Sequence, residues 1–543
     1  MLQISPGGAG RTRLTAPDTI TFPESAGNPE PPATAAFRRP SSLLRNTGWS
    51  AIATVALLAS RFVTNIAVAR LLGPKGTGIV AYDLWLVDIG TALAGLGLNF
   101  TATRFVADLY GQARPAEARA ITTWLHRRYC AITGFSAIFL ILIQPVFGHK
   151  IAPHSMAIGL YFLLQALSVF YLAYLAGRQQ FHQIARLNAL SGLLLVVATA
   201  IGGHFGGAFG VLLGYAAAAV PGASLSLALL YGTKPDVRPD REIRRRCVKY
   251  AVSTWIATLL SLLVWSRLEI AFLQRYWASE SIAMFTVGLT LSSLATQGPL
   301  LLTGPLLPHF AQRVGEQDRK GIVSVYGSGT LLLAATLFPL CIGLASITPI
   351  VLPLLYGNAF RAAVPTAMVL IAFSALSFAN VGSALLYARE RSGFIALSGA
   401  LGAALSIASG FIIIPRWGPW GAAWSRAIVQ TSMIALSVWY ISKRLACPVP
   451  FRAIGKVLGA ALAAAGISYS IGRVIADVRG VLLAVPAAAI SYLVCIKYGR
   501  VFQEADLAMA LRVADRLPRR MGQGLSTGLT WLSGHYESIG GRL

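Results

Sequence analysis

Six polar side chains lie inside long apolar stretches of the sequence, where ionised groups are costly. They are Arg61, Asn65, Asp83, Asp88, Arg267 and Glu269. An arginine at membrane depth costs at least about 2.5 kcal/mol, so it is retained where it faces an opposite charge or a water-filled space. Arginine binds phosphate through two parallel hydrogen bonds, and a carboxylate held partly away from water can take up a proton. The six residues therefore predict a polar compartment within the membrane that suits a polar or anionic cargo.

The heights of these residues place them in one half of the membrane. At a rise of about 1.5 Å per helical residue, Arg61 lies about 20 Å from the inner face, and Asp88 lies about 14 Å from the outer face. On the same rise, Arg267 and Glu269 lie about 24–27 Å from the inner face. Asn65 follows Arg61 by one helical turn and shares its helix face. We therefore predict that these charges line one cavity between two halves of the protein.

Simpler interpretations of the same charges remain open. Arg61 and Asp88 can form a purely structural pair between two helices. Glu269 near a helix end, and Arg426 one or two turns inside the twelfth apolar stretch, can instead extend their charged ends to the membrane surface. Only the three-dimensional arrangement separates these alternatives from a cavity.

The elements that carry these residues are predicted to be transmembrane helices. Of the 543 residues, 55% are hydrophobic and only 12% are charged, which is about half the charge of an average soluble protein. Apolar residues come in blocks of about twenty, the length that crosses a hydrocarbon core of about 30 Å. About fourteen blocks meet this criterion, which predicts an all-α integral membrane protein. They span residues 48–69, 79–100, 129–147, 155–176, 188–204, 207–231, 251–274, 282–305, 325–348, 364–387, 394–414, 419–442, 454–474 and 479–497.

The formal net charge of +26 invites comparison with nucleic-acid-binding proteins, but its distribution is that of a membrane protein. With a cytoplasmic N-terminus, about 34 of the 46 Lys and Arg residues fall on the cytoplasmic side and about 8 fall outside. Such a bias predicts that both termini are cytoplasmic. The basic charge also attracts anionic headgroups, so membrane lipids are expected partners and nucleic acid is not.

The chain repeats itself weakly at a spacing of roughly two hundred residues. Residues 61–112 align with residues 266–317, and Phe209-Gly210 aligns with Trp420-Gly421. Because each copy holds six spans, the copies keep the same orientation, and in such proteins the substrate path runs between the halves. The predicted organisation is a disordered cytoplasmic tail (1–46), two six-helix bundles (47–231 and 251–442) joined by a cytoplasmic linker (232–250), two additional transmembrane helices (443–498), and a basic cytoplasmic tail with an amphipathic helix (499–543).

No cofactor is predicted. The five cysteines have no CxxC spacing, which argues against a metal site and a disulfide framework. The sequence has no GxxxxGK[ST] motif, so ATP is not expected. Coupling to a proton or sodium gradient stays open, with Asp83 or Asp88 as the group that takes up a proton.

Several short motifs, taken in order, resemble those of the oligosaccharide/polysaccharide flippase family. This family is part of the multidrug/oligosaccharidyl-lipid/polysaccharide exporter superfamily. The motifs are Leu44-Arg-Asn46, Ala69-Arg-Leu-Leu-Gly-Pro74, Gly76-Thr-Gly78, Arg267-Leu-Glu269, Ala283-Met-Phe285, Leu307-Pro-His309 with Phe310, and Leu354-Leu-Tyr-Gly357 with Phe360. The resemblance covers roughly residues 41–500 and includes the helix count and the repeat.

This resemblance implies a function as well as a fold. A member of the family is expected to flip a polyprenyl-pyrophosphate-linked oligosaccharide across the bacterial inner membrane for surface polysaccharide biosynthesis. It is not an enzyme, and its expected partners include a polysaccharide polymerase and glycosyltransferases. Three alternatives stay open, since fold alone does not fix function. They are a flippase of lipid-linked peptidoglycan precursor, a cation-coupled drug exporter of the same fold, and a membrane-embedded glycan ligase.

Overall fold

The structure is a computed structural model that describes residues 40–147, 152–232, 239–265, 267–300, 303, 306–475, 477–499 and 501. Within these ranges the chain is helical and contains no β-strand. The α-helices are α1 (Pro40–Ala94), α2 (Leu98–Gly111), α3 (Pro115–Phe147), α4 (Ala152–Gly177), α5 (Phe181–Gly232), α6 (Arg241–Trp265), α7 (Glu269–Tyr276), α8 (Ser279–Leu300), α9 (Leu306–Gly315), α10 (Arg319–Tyr356), α11 (Val364–Ser374), α12 (Asn380–Ala388), α13 (Ser392–Arg444), α14 (Phe451–Val474) and α15 (Val478–Tyr498). Two short 3-10 helices, Asn358–Ala363 and Ala375–Ala379, flank α11.

The predicted membrane crossings coincide with helical segments, although α1, α5 and α13 each hold two of them. Among the described residues, nine helical segments are long and apolar enough to cross a membrane. Three of them, Val55–Ala94, Phe181–Tyr231 and Gly393–Arg444, are 40, 51 and 52 residues long, and each covers two of the predicted blocks in whole or in part. Of the two remaining blocks, one is divided between α6 and α7 and the other lies on α8; α6 and α8 have 25 and 22 residues. The predicted fold class is confirmed: the chain is an all-α integral membrane protein with about fourteen transmembrane helices.

Each of the three double-length segments is interrupted at one glycine. Gly73, Gly207 and Gly418 have φ of 64°, 57° and 55°, in the left-handed region that glycine adopts at no steric cost. Gly207 and Gly418 also share ψ, at −138° and −135°. The alignment that pairs Phe209 with Trp420 also pairs Gly207 with Gly418. The matching backbone conformation of these two glycines therefore supports the repeat seen in the sequence.

The core is divided between the two halves of the chain. In the first half, α2, α3 and α4 bury Phe105, Leu125 and Phe170 in one cluster. In the second half, a larger cluster joins α8, α9, α10, α11 and α12 and also contains residues of α14. The last helix packs there too, because the Tyr492 hydroxyl donates to the Ala335 carbonyl of α10 at 2.7 Å. The two C-terminal helices therefore lie against the second half.

The seventh predicted span differs from expectation because it is shared between the halves. Helix α6 begins at Arg241, inside the predicted linker, and its Cys247 and Ala251 belong to the core cluster of the first half. The remaining part of the same span, α7, packs on α13 and α8 of the second half. Cys247 and Ala251 are four residues apart and form one apolar face of a helix, which explains why the predicted linker continues as helix.

The predictions for the two tails lie mostly outside the described residues. The structure describes the N-terminal tail only from residue 40, where α1 begins, and the C-terminal tail only at residues 499 and 501. The predicted amphipathic helix of the C-terminal tail is not among the described residues.

Candidate functional site

Three of the predicted charges come within electrostatic reach of one another. Arg61 lies on the first limb of α1, Asp88 on its second limb, and Arg267 between α6 and α7. Asp88 lies in the positive fields of both Arg61 and Arg267, and the two arginines also act on each other. All three side chains have exposed surface although they lie within predicted membrane spans. We name the part of the protein around Arg61, Asp88 and Arg267 the charged chamber.

A broken helix presents Arg267 to the chamber. Helix α6 ends at Trp265 and α7 begins at Glu269, and Arg267 has φ of 59°. A left-handed conformation is uncommon for a residue with a side chain, and such backbone outliers cluster at functional sites. Irregular backbone at membrane depth is tolerated where it is enclosed by protein or lines an aqueous cavity. The corresponding stretch of the first repeat, around Arg61, is unbroken helix, so the two copies differ at this point.

Glu269 forms an ion pair with Arg426 of α13. Arg426 Nη1 lies 3.4 Å from Glu269 Oε1, and the two side chains are 25% and 6% exposed. Arg426 also lies within electrostatic reach of Arg267. Both partners therefore point into the protein, which differs from the alternative that they extend to the membrane surface. The burial of Glu269 favours this pairing, because an isolated buried carboxylate is far more costly than a paired one.

The sequence contained one signal for this pair. Glu269 lies five residues from the outer end of the predicted seventh span, and Arg426 lies seven residues from the outer end of the twelfth. Opposite charges at depths of about 8 Å and about 11 Å can meet if their helices are neighbours. Sequence alone does not say which helices are neighbours, so the role of Arg426 was missed.

Two cavities flank the charged chamber, one in each half. The first, about 220 Å³, contains Asp88 and is otherwise lined by hydroxyl, amide, glycine and apolar groups, including Thr91, Asn99, Gln165 and Thr258. The second, about 140 Å³, contains Arg267 and Arg426 among side-chain hydroxyls and one amide, namely Ser292, Ser293, Thr296, Ser374, Ser377 and Gln430. The first cavity thus presents an anion and the second presents cations.

Asp83 does not line the chamber. Its side chain is fully buried, and Oδ2 lies 2.8 Å from Nε2 of His154 in the first turn of α4. The pair connects the second limb of α1 to α4 within the first half of the chain. The physical reason for the difference from prediction is that the imidazole supplies the polar partner that a cavity would otherwise provide.

Two tyrosines lie near Arg61 and Asp88, and Asn65 lies one helical turn after Arg61. The Asn65 side-chain oxygen is buried and has no hydrogen-bond partner in the described part of the chain. Tyr161 and Tyr215 pack edge to face, with ring centroids 5.6 Å apart, and both lie in the fields of Arg61 and Asp88. No sequence pattern indicates the two tyrosines, because an aromatic residue in an apolar span is most simply a core residue.

The fold is similar to the folds of several solved membrane transporters. The structure is similar to the lipid II flippase MurJ in an inward closed conformation, with a TM-score of 0.68 and 12% identity over 83% of this chain and 98% of that one. It is also similar to an inward-facing multidrug resistance MATE family transporter, with a TM-score of 0.60 and 14% identity over 75% of this chain and 98% of that one. A third similar structure is a MOP superfamily transporter from Pyrococcus furiosus described as having a binding pocket of reverse polarity. Its TM-score is 0.52, with 13% identity over 75% of this chain and 95% of that one.

The family follows from the sequence of the first half. Residues 43–314 match the family described as polysaccharide biosynthesis protein, and the chain belongs to that family. No curated protein matches the sequence. The chain is therefore a multi-pass membrane protein of a polysaccharide biosynthesis family with the fold of MOP superfamily transporters and flippases.

Proposed function

We propose that this protein is a flippase that moves a polyprenyl-pyrophosphate-linked oligosaccharide across the bacterial inner membrane for surface polysaccharide biosynthesis. The cargo headgroup occupies the charged chamber while the lipid tail stays in the bilayer. The two halves expose the chamber first to one face of the membrane and then to the other. The protein acts as a transporter and makes or breaks no covalent bond of its cargo.

The balance of charge at the chamber carries this proposal. Within the chamber, Arg61 and Arg267 bring two positive charges and Asp88 brings one negative charge, and beside it Arg426 and Glu269 add one charge of each sign. A drug exporter for cations needs an excess of carboxylates, whereas a pyrophosphate needs cations. Arginine suits this role because its planar guanidinium binds phosphate oxygens in pairs.

The second cavity supports a glycan as the other part of the cargo. Its hydroxyl groups and Gln430 can both donate and accept hydrogen bonds. Sugar hydroxyls need partners of that kind when they leave water, because an unmatched polar group is costly. The aromatic ring of Phe373 also lines this cavity and offers a flat apolar surface.

A flippase for lipid-linked peptidoglycan precursor is the second candidate. The similarity to the lipid II flippase favours it, and that cargo also carries a pyrophosphate. The family match favours a polysaccharide precursor, so the two candidates share their chamber chemistry and differ in the sugar.

Reconstituted vesicles can separate these candidates. The purified protein is placed in liposomes that contain either a fluorescent undecaprenyl-pyrophosphate oligosaccharide or fluorescent lipid II, and quenching from outside measures flipping. The proposal expects faster flipping of the oligosaccharide, and faster flipping of lipid II alone would favour the second candidate. Flipping of neither lipid, in a preparation that is correctly folded, would contradict both.

A pair of arginine variants tests the role of the chamber. Arg267→Gln removes a chamber cation, and Arg275→Gln removes an exposed arginine from the adjoining helix α7. We expect flipping to fall at least about tenfold in the first variant, the loss expected for one hydrogen bond to a charged group. The control should keep its rate, and equal rates in both variants would refute the role given to Arg267.

The energy source, the orientation and the partners belong to the same proposal. Flipping is coupled to a proton or sodium gradient, and Asp88 is the carboxylate that the chamber offers for it. Both termini lie in the cytoplasm, where the basic loops are, and no cofactor takes part. Glycosyltransferases supply the lipid-linked substrate, and a polysaccharide polymerase uses it after transport.

A further inference from the structure

Two of the sequence motifs have no part in the charged chamber, yet the structure brings them together. One is the turn between the limbs of α1, Ala69 to Gly78, and the other is the end of α10 at Leu354-Leu-Tyr-Gly357. Arg70 Nε donates to the carbonyl oxygen of Leu355 at 2.7 Å, and Arg70 Nη2 donates to the carbonyl oxygen of Leu354. The contact joins the first half of the chain to the second. It lies on the face that the distribution of Lys and Arg predicts to be external, here called the outer face.

The end of α10 is suited to hold a cation. The last carbonyl groups of a helix have no partner within the helix and carry the negative end of its dipole. Gly357 closes the helix by donating its N–H to the Pro353 carbonyl at 2.8 Å. The carbonyls of Leu354 and Leu355 are the next two in sequence, and Arg70 binds both. A guanidinium reaches two neighbouring oxygens at once, which a lysine ammonium does less well.

A second contact between the halves lies on the same turn. A Cβ atom added at Gly78 would stand 1.7 Å from the carbonyl oxygen of Ser279, the first residue of α8. Real Cβ atoms do not approach so closely, so only glycine allows the two backbones to meet here. Ala69, which is 1% exposed, belongs to the same core cluster as Ala283 and Val287 of α8.

The turn itself has the geometry needed to hold both contacts. Gly73 has φ of 64°, Pro74 follows it, and the Thr77 hydroxyl donates to the Gly73 carbonyl at 2.7 Å. Proline at the start of a helix costs no hydrogen bond, since the first N–H groups of a helix are unpaired. The turn therefore presents Arg70 on one side and Gly78 on the other, and both meet the second half of the chain.

We propose that this turn and the end of α10 form the outer gate of the transport path, with Arg70 as its latch. The proposal rests on the proposed function only in that it assumes alternating access. In the state seen here the gate is closed, and the first cavity extends from Asp88 along the second limb of α1 towards residues 95–100, away from this contact. Release of cargo on the outer face requires Arg70 to leave the carbonyls of α10 and Gly78 to separate from Ser279.

The gate can be tested without any cargo. Thr91, which lines the first cavity, is replaced by cysteine in a variant whose five native cysteines are serines. A membrane-impermeant maleimide is then applied to the outer face of oriented vesicles. We expect Arg70→Ala, which removes both hydrogen bonds, to raise the labelling rate by at least about tenfold, the population shift that follows from loss of even one hydrogen bond to a charged group. Gly78→Ala should raise it as well, because the added methyl group pushes Ser279 away.

Two further variants control this experiment. Lys75→Ala removes an exposed cation from the same turn and should leave labelling unchanged, and Arg70→Lys should give an intermediate rate. Equal labelling in Arg70→Ala and Lys75→Ala, in preparations that elute as folded protein, would overturn the proposal. If Gly78→Ala does not fold, the comparison of the Arg70 and Lys75 variants decides alone. Labelling uses no lipid-linked sugar, so a failure of the gate is distinguishable from a failure of the proposed function.

Discussion

The ion pair between Glu269 and Arg426 allows the most quantitative prediction. At 3.4 Å and an effective dielectric constant of about 20, the attraction is about 5 kcal/mol. Desolvation of the two groups offsets part of this, and loss of one partner from a buried pair costs about 3–5 kcal/mol. Because the Arg426 side chain is 25% exposed, we expect Glu269→Gln to lower the free energy of unfolding by about 3 kcal/mol, the low end of that range.

Unfolding in mixed micelles with an increasing fraction of denaturing detergent measures this free energy. Glu390→Gln, at an exposed position after α12, is the matched control and should stay within about 0.5 kcal/mol of the original protein. Arg426→Gln should be destabilising as well. The double variant Glu269→Gln/Arg426→Gln should lose less than the two single variants together, with a coupling energy of at least about 1 kcal/mol.

The coupling energy also decides between two roles of the pair. If the losses of the two single variants add without coupling, Glu269 and Arg426 do not interact in the folded protein, and the ion pair between them is refuted. If coupling is present and the double variant still flips lipid, the pair is structural. A stable double variant that no longer flips lipid would show that the pair serves transport directly.

Three further predictions concern stability and reactivity. Asp83→Asn and His154→Gln should each lower the free energy of unfolding by about 1–3 kcal/mol, because each leaves a polar partner unmatched; unchanged stability in both would refute their pairing. Gly207→Ala and Gly418→Ala should each cost about 1–2 kcal/mol, since both force a left-handed conformation on alanine, and a loss at only one site would argue against their equivalence. Burial raises the pKa of the Cys447 thiol, so this thiol stays protonated at neutral pH and should react with maleimide at least about tenfold more slowly than after denaturation; equal rates would contradict this.

The length and number of the transmembrane helices could be predicted because they depend on local sequence. A block of about twenty apolar residues specifies a crossing wherever it stands. The turn at Gly207 could also be predicted from local sequence. A glycine-rich stretch lies there between two apolar blocks, and small residues predict that the two helices pack closely. A Cβ atom at Gly202 would lie 2.1 Å from the Gly210 carbonyl oxygen, which confirms that packing.

The partners of the charged residues could not be predicted in the same way. Asp83 and Asp88 are five residues apart on one limb of α1, yet Asp83 is enclosed with His154 while Asp88 faces two arginines. Arg426 shows the same limit, because its distance from a helix end is compatible both with the membrane surface and with Glu269. The hydropathy of a span predicts that it crosses the membrane, but it does not predict which other helices its side chains contact.

The sequence by itself determined that this chain crosses the membrane about fourteen times, that its halves repeat, and that it carries charges at membrane depth. Each of these properties depends on composition and spacing along one segment, which do not change when the segments pack. Only the tertiary structure decided that Arg61, Asp88 and Arg267 come within electrostatic reach of one another, that the seventh span breaks at Arg267, and that Arg70 reaches the end of α10. Contacts between segments far apart in the chain depend on which helices become neighbours, and apolar surfaces of similar size permit many such arrangements.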